Sequence, residues 1–249
     1  MKPGKLATFI FMLFCVNHSQ AQIDFTQWQA GINAGVMVYQ GDLTPSPIGS
    51  YKTLKPTAGF FVSRIINPSF LLKTNFAFGR IKGDDSKYND PWWRKERNLY
   101  FTSRVIEISE LLVWNMFSNN GNELGKRFSP YVFGGLGVSF LKVKRDYSNM
   151  SKNFFIDFPQ VQAGFNADIS ITPPRTAIVL PVGIGVEYYV NPRFSLTAET
   201  NFRYTFTDYL DGFSRGANPS KKDFYQTHTL GLLYRFGKQD KLGCPVMTY

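Results

Sequence analysis

The 249-residue chain is short of the side chains that carry most catalytic and metal chemistry: it has two histidines and two cysteines. An export leader reduces both counts. Lys2 and Lys5 precede an apolar run at 6–16, and Ser19-Gln20-Ala21 forms a small-x-small site before Gln22, so residues 1–21 read as a signal peptide and the mature chain as starting at Gln22. His18 and Cys15 leave with the leader, and bulky Phe14 argues against Cys15 as a lipid acceptor. The remaining Cys244 cannot close an intramolecular disulfide, which excludes a disulfide framework. His228 is then the single histidine, and no adjacent nucleophile signature marks a hydrolase. No cluster of His, Cys and carboxylates has metal-ligand spacing. The expectation is a protein that is not an enzyme and uses no metal and no cofactor. Gly83-Asp84-Asp85-Ser86 and the acidic stretch 208–211 lack the EF-hand pattern and read as solvated loops. Gly134-Gly135-Leu136-Gly137 has no helix after it to cradle a phosphate.

Long hydrophobic runs are also missing. Outside the leader nothing reaches the roughly 18 apolar residues of a membrane helix, and no segment of length has a helical period.

What the chain has instead is alternation. In RFSLTAETNFRYTFT, residues 193–207, Phe194, Leu196, Ala198, Thr200, Phe202, Tyr204 and Phe206 share one face, and Arg193, Glu199 and Arg203 lie among the polar residues of the other. Soluble strands average about 5–6 residues, whereas a tilted strand crossing a bilayer needs about 9–11. The same pattern recurs at 28–40, 57–66, 71–82, 99–117, 131–144, 178–190 and 225–236, which predicts an eight-stranded antiparallel transmembrane β-barrel over residues 22–236. The fourth segment is imperfect. Glu110 falls among outward residues and Leu111 and Val113 among inward ones, so a bulge or a register error is expected there.

Connections alternate between long polar segments and shorter ones such as Asn67-Pro68-Ser69 and Asn191-Pro192. Short turns belong to the periplasmic side of outer-membrane barrels, which places the protein in the outer membrane with both termini periplasmic. The aromatic content of 16% suits interfacial girdles.

An eight-stranded lumen is only wide enough for side chains to fill, so glycines are useful inside it and a wide pore is not expected. Glu107, Glu187 and Glu199 fall on inward positions with Lys73, Arg203 and Arg235 as available partners, either as a structural network or as an ion path.

Charge is unbalanced, with 28 Lys and Arg against 18 Asp and Glu. A basic excess suits nucleic acid, but an exported barrel has no access to it, so no nucleic acid is expected. Lys87, Arg94, Lys95, Arg97, Lys142, Lys144, Arg145, Lys221 and Lys222 fall between strands, as solvated loop charge or against the phosphates of outer-membrane lipids. Trp92 and Trp93 in the loop WWRKERN are either rim packing or a ligand contact.

Several phrases together resemble the PorG family of small outer-membrane barrels in Bacteroidota, associated with the type IX secretion system. They are GDL after the first strand, FGRIKGDDS, RNLYFTSRVIEISELLVWNMF, PYVFGGLG, LPVGIGVEYYVNPRFSLTAETNFRYTFTDYLDG and the late GCP. The most specific are RYTFTDYLDG, from Arg203 to Gly212, and the RNL and IEIS elements of the fourth strand. The resemblance implies a non-enzymatic subunit of a protein-export and gliding-associated machine, accompanying a periplasmic ring lipoprotein. The candidate contact is then the tail at 237–249, with Lys238, Lys241, Cys244 and Pro245, although a terminal extension is ordinarily disordered. The alternative is a stand-alone barrel that binds a surface ligand through its external loops, with Trp92 and Trp93 as contacts.

Overall fold

A computed structural model of the chain describes residues 27–120, 126–151, 156, 158–216 and 223–236. The expected signal peptide, the tail bearing Lys238, Lys241, Cys244 and Pro245, and the loop lysines 221 and 222 lie outside the described residues.

Eight strands, β1 (Trp28–Gln40), β2 (Lys55–Ile65), β3 (Phe70–Asp84), β4 (Tyr100–Asn115), β5 (Phe128–Asp146), β6 (Thr176–Tyr189), β7 (Phe194–Thr205) and β8 (Phe224–Arg235), pair antiparallel with their sequence neighbours. β8 returns to β1, with Gln40 opposite Phe224 and Gln29 opposite Arg235, so no strand edge is left. The bounds of β1 are those of its alternation, and the others move by at most three residues.

The two faces separate as the alternation requires. Large apolar side chains are exposed on every strand, from Ile32 on β1 (63%) through Phe60, Phe78, Ile106, Leu136, Ile184 and Leu196 to Leu230 on β8 (71%). An apolar belt around the whole circumference far exceeds the few hundred Å² that a soluble monomer exposes, and lipid is the medium that satisfies it. Inward positions are buried and mostly polar, including Gln29, Ser63, Asn75, Ser109 and Asn201.

Two of the short turns share one device. Asn67 Oδ1 accepts from the amides of Ser69 (2.9 Å) and Phe70 (2.8 Å), and Asn191 Oδ1 accepts from those of Arg193 and Phe194 (both 2.9 Å). In each the following proline fixes φ while the amide side chain satisfies the turn's own donors.

Inward glycines let aromatic rings lie across the lumen wall. Tyr131 stands directly opposite Gly185 and Phe61 opposite Gly31, and a Cβ on those glycines would come within 2.4 Å and 2.3 Å of the rings. Alanine at either position would collide with the ring that seals the lumen.

The expected break in β4 is absent. Its pairing with β3 runs without a bulge from Tyr100 to Trp114, so Glu110 faces outward within the apolar belt, where its carboxylate accepts from Thr74 Oγ1 at 2.7 Å. Leu111 and Val113 are inward and pack with Leu71, Tyr131 and Phe133. The alternation blurs there because this level of the lumen is apolar, not because the register slips.

Val38 has the outward parity of β1 and is nevertheless fully buried. The loop after β1 folds back over the outer wall: Ser50 donates its amide to Tyr39 O (2.7 Å), and the outward Gln226 donates to Gln40 Oε1 (3.1 Å) and Ile48 O (3.0 Å).

Candidate functional site

The lumen is closed by three ion pairs arranged along one strand. On β7 the inward residues Ser195, Glu199 and Arg203 recur every four positions, about 13 Å apart along the strand. At the lowest level the Arg235 guanidinium pairs with Glu187 and donates to Ser195 Oγ at 2.8 Å, with Tyr189 beneath it. At the middle level Lys73 Nζ meets Glu199 Oε1 at 2.5 Å, which also accepts from the Tyr131 hydroxyl at 2.6 Å; the ammonium lies 4.2 Å from the Phe61 ring centroid. At the upper level Arg203 Nε donates to Glu107 Oε2 at 2.6 Å and Nη1 to Thr227 Oγ1 at 2.5 Å. Glu107 also accepts from Tyr225 at 2.6 Å and from Ser109 at 3.2 Å.

The six charges named from the sequence therefore meet as three pairs, Lys73 with Glu199, Arg203 with Glu107 and Arg235 with Glu187. Each carboxylate is matched to one cation and held by a hydroxyl or by packing, which is what a buried pair needs to offset its desolvation. Between the lower two levels is a cavity of about 30 Å³ lined by residues including Gln29, Asn115 and Glu187, room for a water or two. Nothing of that size is a conduit.

Above the ion pairs the barrel is stoppered by an apolar plug and then by its own loops. Inward Met37, Ile81, Phe101, Val105, Leu141 and Val179 pack with Leu43, Leu99, Phe165, Leu210 and Phe213 from the long connections. Two short helices stand in those connections: α1 (Trp93–Arg97) and α2 (Pro159–Ser170).

Asp85 ties the first two connections together. It is fully buried and accepts from Arg94 Nη1 (2.8 Å), Arg97 Nε (2.7 Å) and Arg97 Nη2 (2.9 Å), while both arginines donate onward to Asp42 O at 3.0 Å. Burial alone would lower the pKa of Arg97, but the hydrogen bond and charge of Asp85 outweigh it and hold it above its ordinary value. In Arg94 burial prevails, aided by the Arg97 charge, and the pKa is lowered. The turn that presents both arginines closes on Asn98, in the left-handed region at φ 46°, where asparagine is among the few side chains tolerated.

Asp168 and Arg145 tie the other two. Asp168 accepts from the amides of Ser214 (3.1 Å), Arg215 (3.1 Å) and Gly216 (2.8 Å), and Arg145 donates to the carbonyls of Asp168, Gly212, Ile169 and Ile171. Tyr39 joins the halves, with its hydroxyl 2.6 Å from Asp211 Oδ2 and 3.2 Å from Asp223 Oδ1. Burial, together with the charges of neighbouring carboxylates, pushes Asp211 and Asp223 well above the usual carboxylate range.

The acidic stretches expected to be solvated are thus corrected: Asp85 and Asp211 are fully buried and knit the cap. Among the described residues no group of three or more His, Cys, Asp or Glu side chains has the geometry to hold a metal ion.

The loop tryptophans separate in role. Trp92 is 67% exposed, whereas Trp93 is half-buried with the Arg94 and Arg97 guanidiniums 5.0 and 4.9 Å from its ring centroid, so it backs the salt-bridge cluster instead of presenting itself. His228 faces outward between the Tyr51 hydroxyl (3.0 Å) and the Thr200 hydroxyl (3.1 Å).

Sequence reasoning missed Tyr131 and Tyr225, whose inward parity was available, and the whole cap apart from its charges. Several residues of both lie in the motif phrases. Asp42 and Leu43 come from GDL, Asp85 from FGRIKGDDS, Arg97 and Leu99 from RNL, Glu107 and Ser109 from IEIS, and Arg203, Leu210, Asp211 and Gly212 from RYTFTDYLDG.

A closed barrel with an apolar outer belt, an ion-paired lumen and a knitted cap is a transmembrane β-barrel with a filled lumen. The chain belongs to the family described as "Domain of unknown function (DUF6089)", whose match spans residues 4–242. A comparison with curated proteins returned no match. Among solved structures the chain is similar to Neisserial surface protein A (16% identity, TM-score 0.46, 84% of this chain and 97% of that one). It is also similar to Ail of Yersinia pestis in complex with the heparin analogue sucrose octasulfate (14%, 0.43, 84% and 99%) and to a major outer membrane protein from Thermus thermophilus (12%, 0.44, 84% and 99%).

Proposed function

We propose that this chain is a non-enzymatic outer-membrane subunit of the type IX protein secretion machinery, with both termini in the periplasm and its tail offered to a periplasmic ring lipoprotein. The observation that carries the reading is the sealed lumen. A barrel filled by three ion pairs and an apolar plug has no room for an exported chain, so its service to export is as a membrane anchor to which other components attach. The resemblance to the PorG family supplies the machine.

The test is affinity purification from native outer membranes in mild detergent, followed by mass spectrometry of what accompanies the protein. Stoichiometric recovery of a periplasmic ring lipoprotein, lost on truncation after Phe236, is the expected result. Recovery of the barrel alone, under conditions that keep other membrane complexes intact, refutes the reading.

A second reading is favoured by Trp92. It is a large apolar side chain, 67% exposed on a loop, and in that reading the barrel stands alone and binds a surface ligand. Trp92→Ala then abolishes ligand binding on cells while leaving any periplasmic complex untouched.

A further inference from the structure

The outer wall of β3, β4 and β5 carries a charge arrangement that the barrel's own packing does not use. In register across the three strands, Phe78, Ile106 and Phe140 form the last apolar row. The next outward row is Arg80, Arg104 and Lys142, and the row beyond it is Lys82, Thr102 and Lys144. Like charges directly opposite one another on neighbouring strands repel. Lys82 has an answer within the chain, an ion pair with Asp84 at 3.0 Å and the Tyr100 ring at 4.7 Å. The side chains of Arg80, Arg104, Lys142 and Lys144 make no ion pair with any of the described residues, and with Thr102 they line a concavity of about 110 Å³.

Depth says what meets them. Arg80 lies ten residues along β3 from Phe70, which pairs with Trp114 at the short-turn boundary of the belt. Ten residues are about 33 Å of strand, or about 25 Å of height at a tilt near 40°, the height of the apolar band of such barrels. The cations therefore sit at headgroup level in the leaflet on the long-loop side, with an apolar row below them for acyl chains.

We propose that Arg80, Arg104, Lys142 and Lys144 form a binding site for the phosphorylated headgroup of a membrane lipid. The two guanidiniums present planar forks to phosphate oxygens, the two ammoniums add charge, and the chains run down over Phe78, Ile106 and Phe140. Repulsion within the row is relieved by the bound anion, so the wall is completed by its lipid. This inference does not depend on the secretion reading.

The test is native mass spectrometry of the mature chain in a zwitterionic detergent, titrated with phosphatidic acid, with phosphatidylcholine, whose phosphate is neutralised by choline, as the control of no net charge and inorganic phosphate as a competitor. Each basic residue near an anionic surface contributes about fivefold, so Arg80→Gln/Arg104→Gln/Lys142→Gln weakens phosphatidic acid binding by on the order of a hundredfold. Lys142→Gln alone, the milder variant should the triple one not fold, weakens it about fivefold. Lys87→Gln/Lys95→Gln/Arg193→Gln removes the same charge from exposed positions elsewhere and leaves binding within about twofold of wild type, since those cations lie away from the row. Equal losses in the two triple variants, or displacement of the lipid by inorganic phosphate at the same concentration, overturn the site. The first outcome means diffuse attraction, and the second means a free-phosphate site with no lipid specificity.

Discussion

Removing the Glu107 carboxylate tests whether the lumen is as dry as its geometry says. In Glu107→Ala the Arg203 side chain, 3% exposed, keeps its charge and loses its ion pair, retaining the Thr227 hydroxyl at 2.5 Å and the face of the Tyr225 ring at 5.5 Å. Breaking one half of a buried pair costs about 3–5 kcal/mol. The Tyr225 hydroxyl loses its carboxylate as well, but Ser139 Oγ at 2.7 Å can accept its proton, so only about 1 kcal/mol is added. The expected loss is about 4–6 kcal/mol, close to the whole stability of an ordinary domain. The double change Glu107→Met with Arg203→Met removes both charges, and apolar replacement of a complete pair is near neutral, so it should recover most of that loss. The assay is equilibrium urea unfolding of the barrel in phosphatidylcholine vesicles, followed by tryptophan emission and extrapolated to water. A single variant within about 1 kcal/mol of wild type, with no recovery in the double variant, would mean that water reaches Arg203; the sealed-lumen argument would then be wrong.

Three further outcomes follow from the cap and the outer wall. Asp85→Asn leaves two buried guanidiniums facing a neutral amide, and the loss of about 3 kcal/mol should appear as protease cutting near Trp92 with the barrel itself intact; a loop as resistant as wild type would remove Asp85 from its role as a tie. The cap should loosen as pH rises: Asp211 and Asp223 have folded-state pKa values raised by burial and neighbouring carboxylates, so their contribution is complete below the unfolded value of about 4 and is lost as pH climbs through the folded values. Hydrogen exchange at Leu210 and Phe213, whose amides donate to Asp223 and Asp211, reads this directly, and protection that grows with pH contradicts it. Glu110→Leu, with Thr74→Val to remove the orphaned hydroxyl, should stabilise the barrel in a bilayer by up to about 2 kcal/mol, because the lipid face disfavours a charge; destabilisation in vesicle unfolding would show that this carboxylate has a partner in the membrane.

The strands were legible because a wall between lipid and a polar interior imposes a period of two on every segment that builds it. Phe194 to Thr205 show that period along nearly their whole length, and the Asn-Pro turns fix where two of the hairpins reverse. Where the pattern faltered, at Leu111 and Val113, the cause was chemical: aromatic rings laid over glycines make that level of the lumen apolar, and alternation in polarity disappears while alternation in direction persists. The cap was illegible for a different reason. Asp85 is held by arginines nine and twelve residues on, Asp168 by amides of another connection and Asp211 by Tyr39 of β1, and no local period reports such a contact. The helix Pro159–Ser170 went unseen because only two of its residues, Phe165 and Asp168, are buried, too few to write an apolar stripe; Pro159 at its start was the one available signal.

Lumen and cap form one continuous structure, and that continuity bears on what the barrel can do. Tyr225 donates to Glu107 from beside the apolar plug, and Tyr39, packed edge-on against Phe101 at 4.7 Å in that plug, reaches up to Asp211 and Asp223. From the Arg203–Glu107 pair to the Asp211–Asp223 pair every contact is either a hydrogen bond or close packing between buried groups, and such groups rearrange together or not at all. A ligand or partner that pulled one cap connection away would expose the plug and strain the upper ion pair. The rigid cap is therefore suited to presenting a fixed surface, and an opening that admits solutes would require the loss of several buried contacts at once.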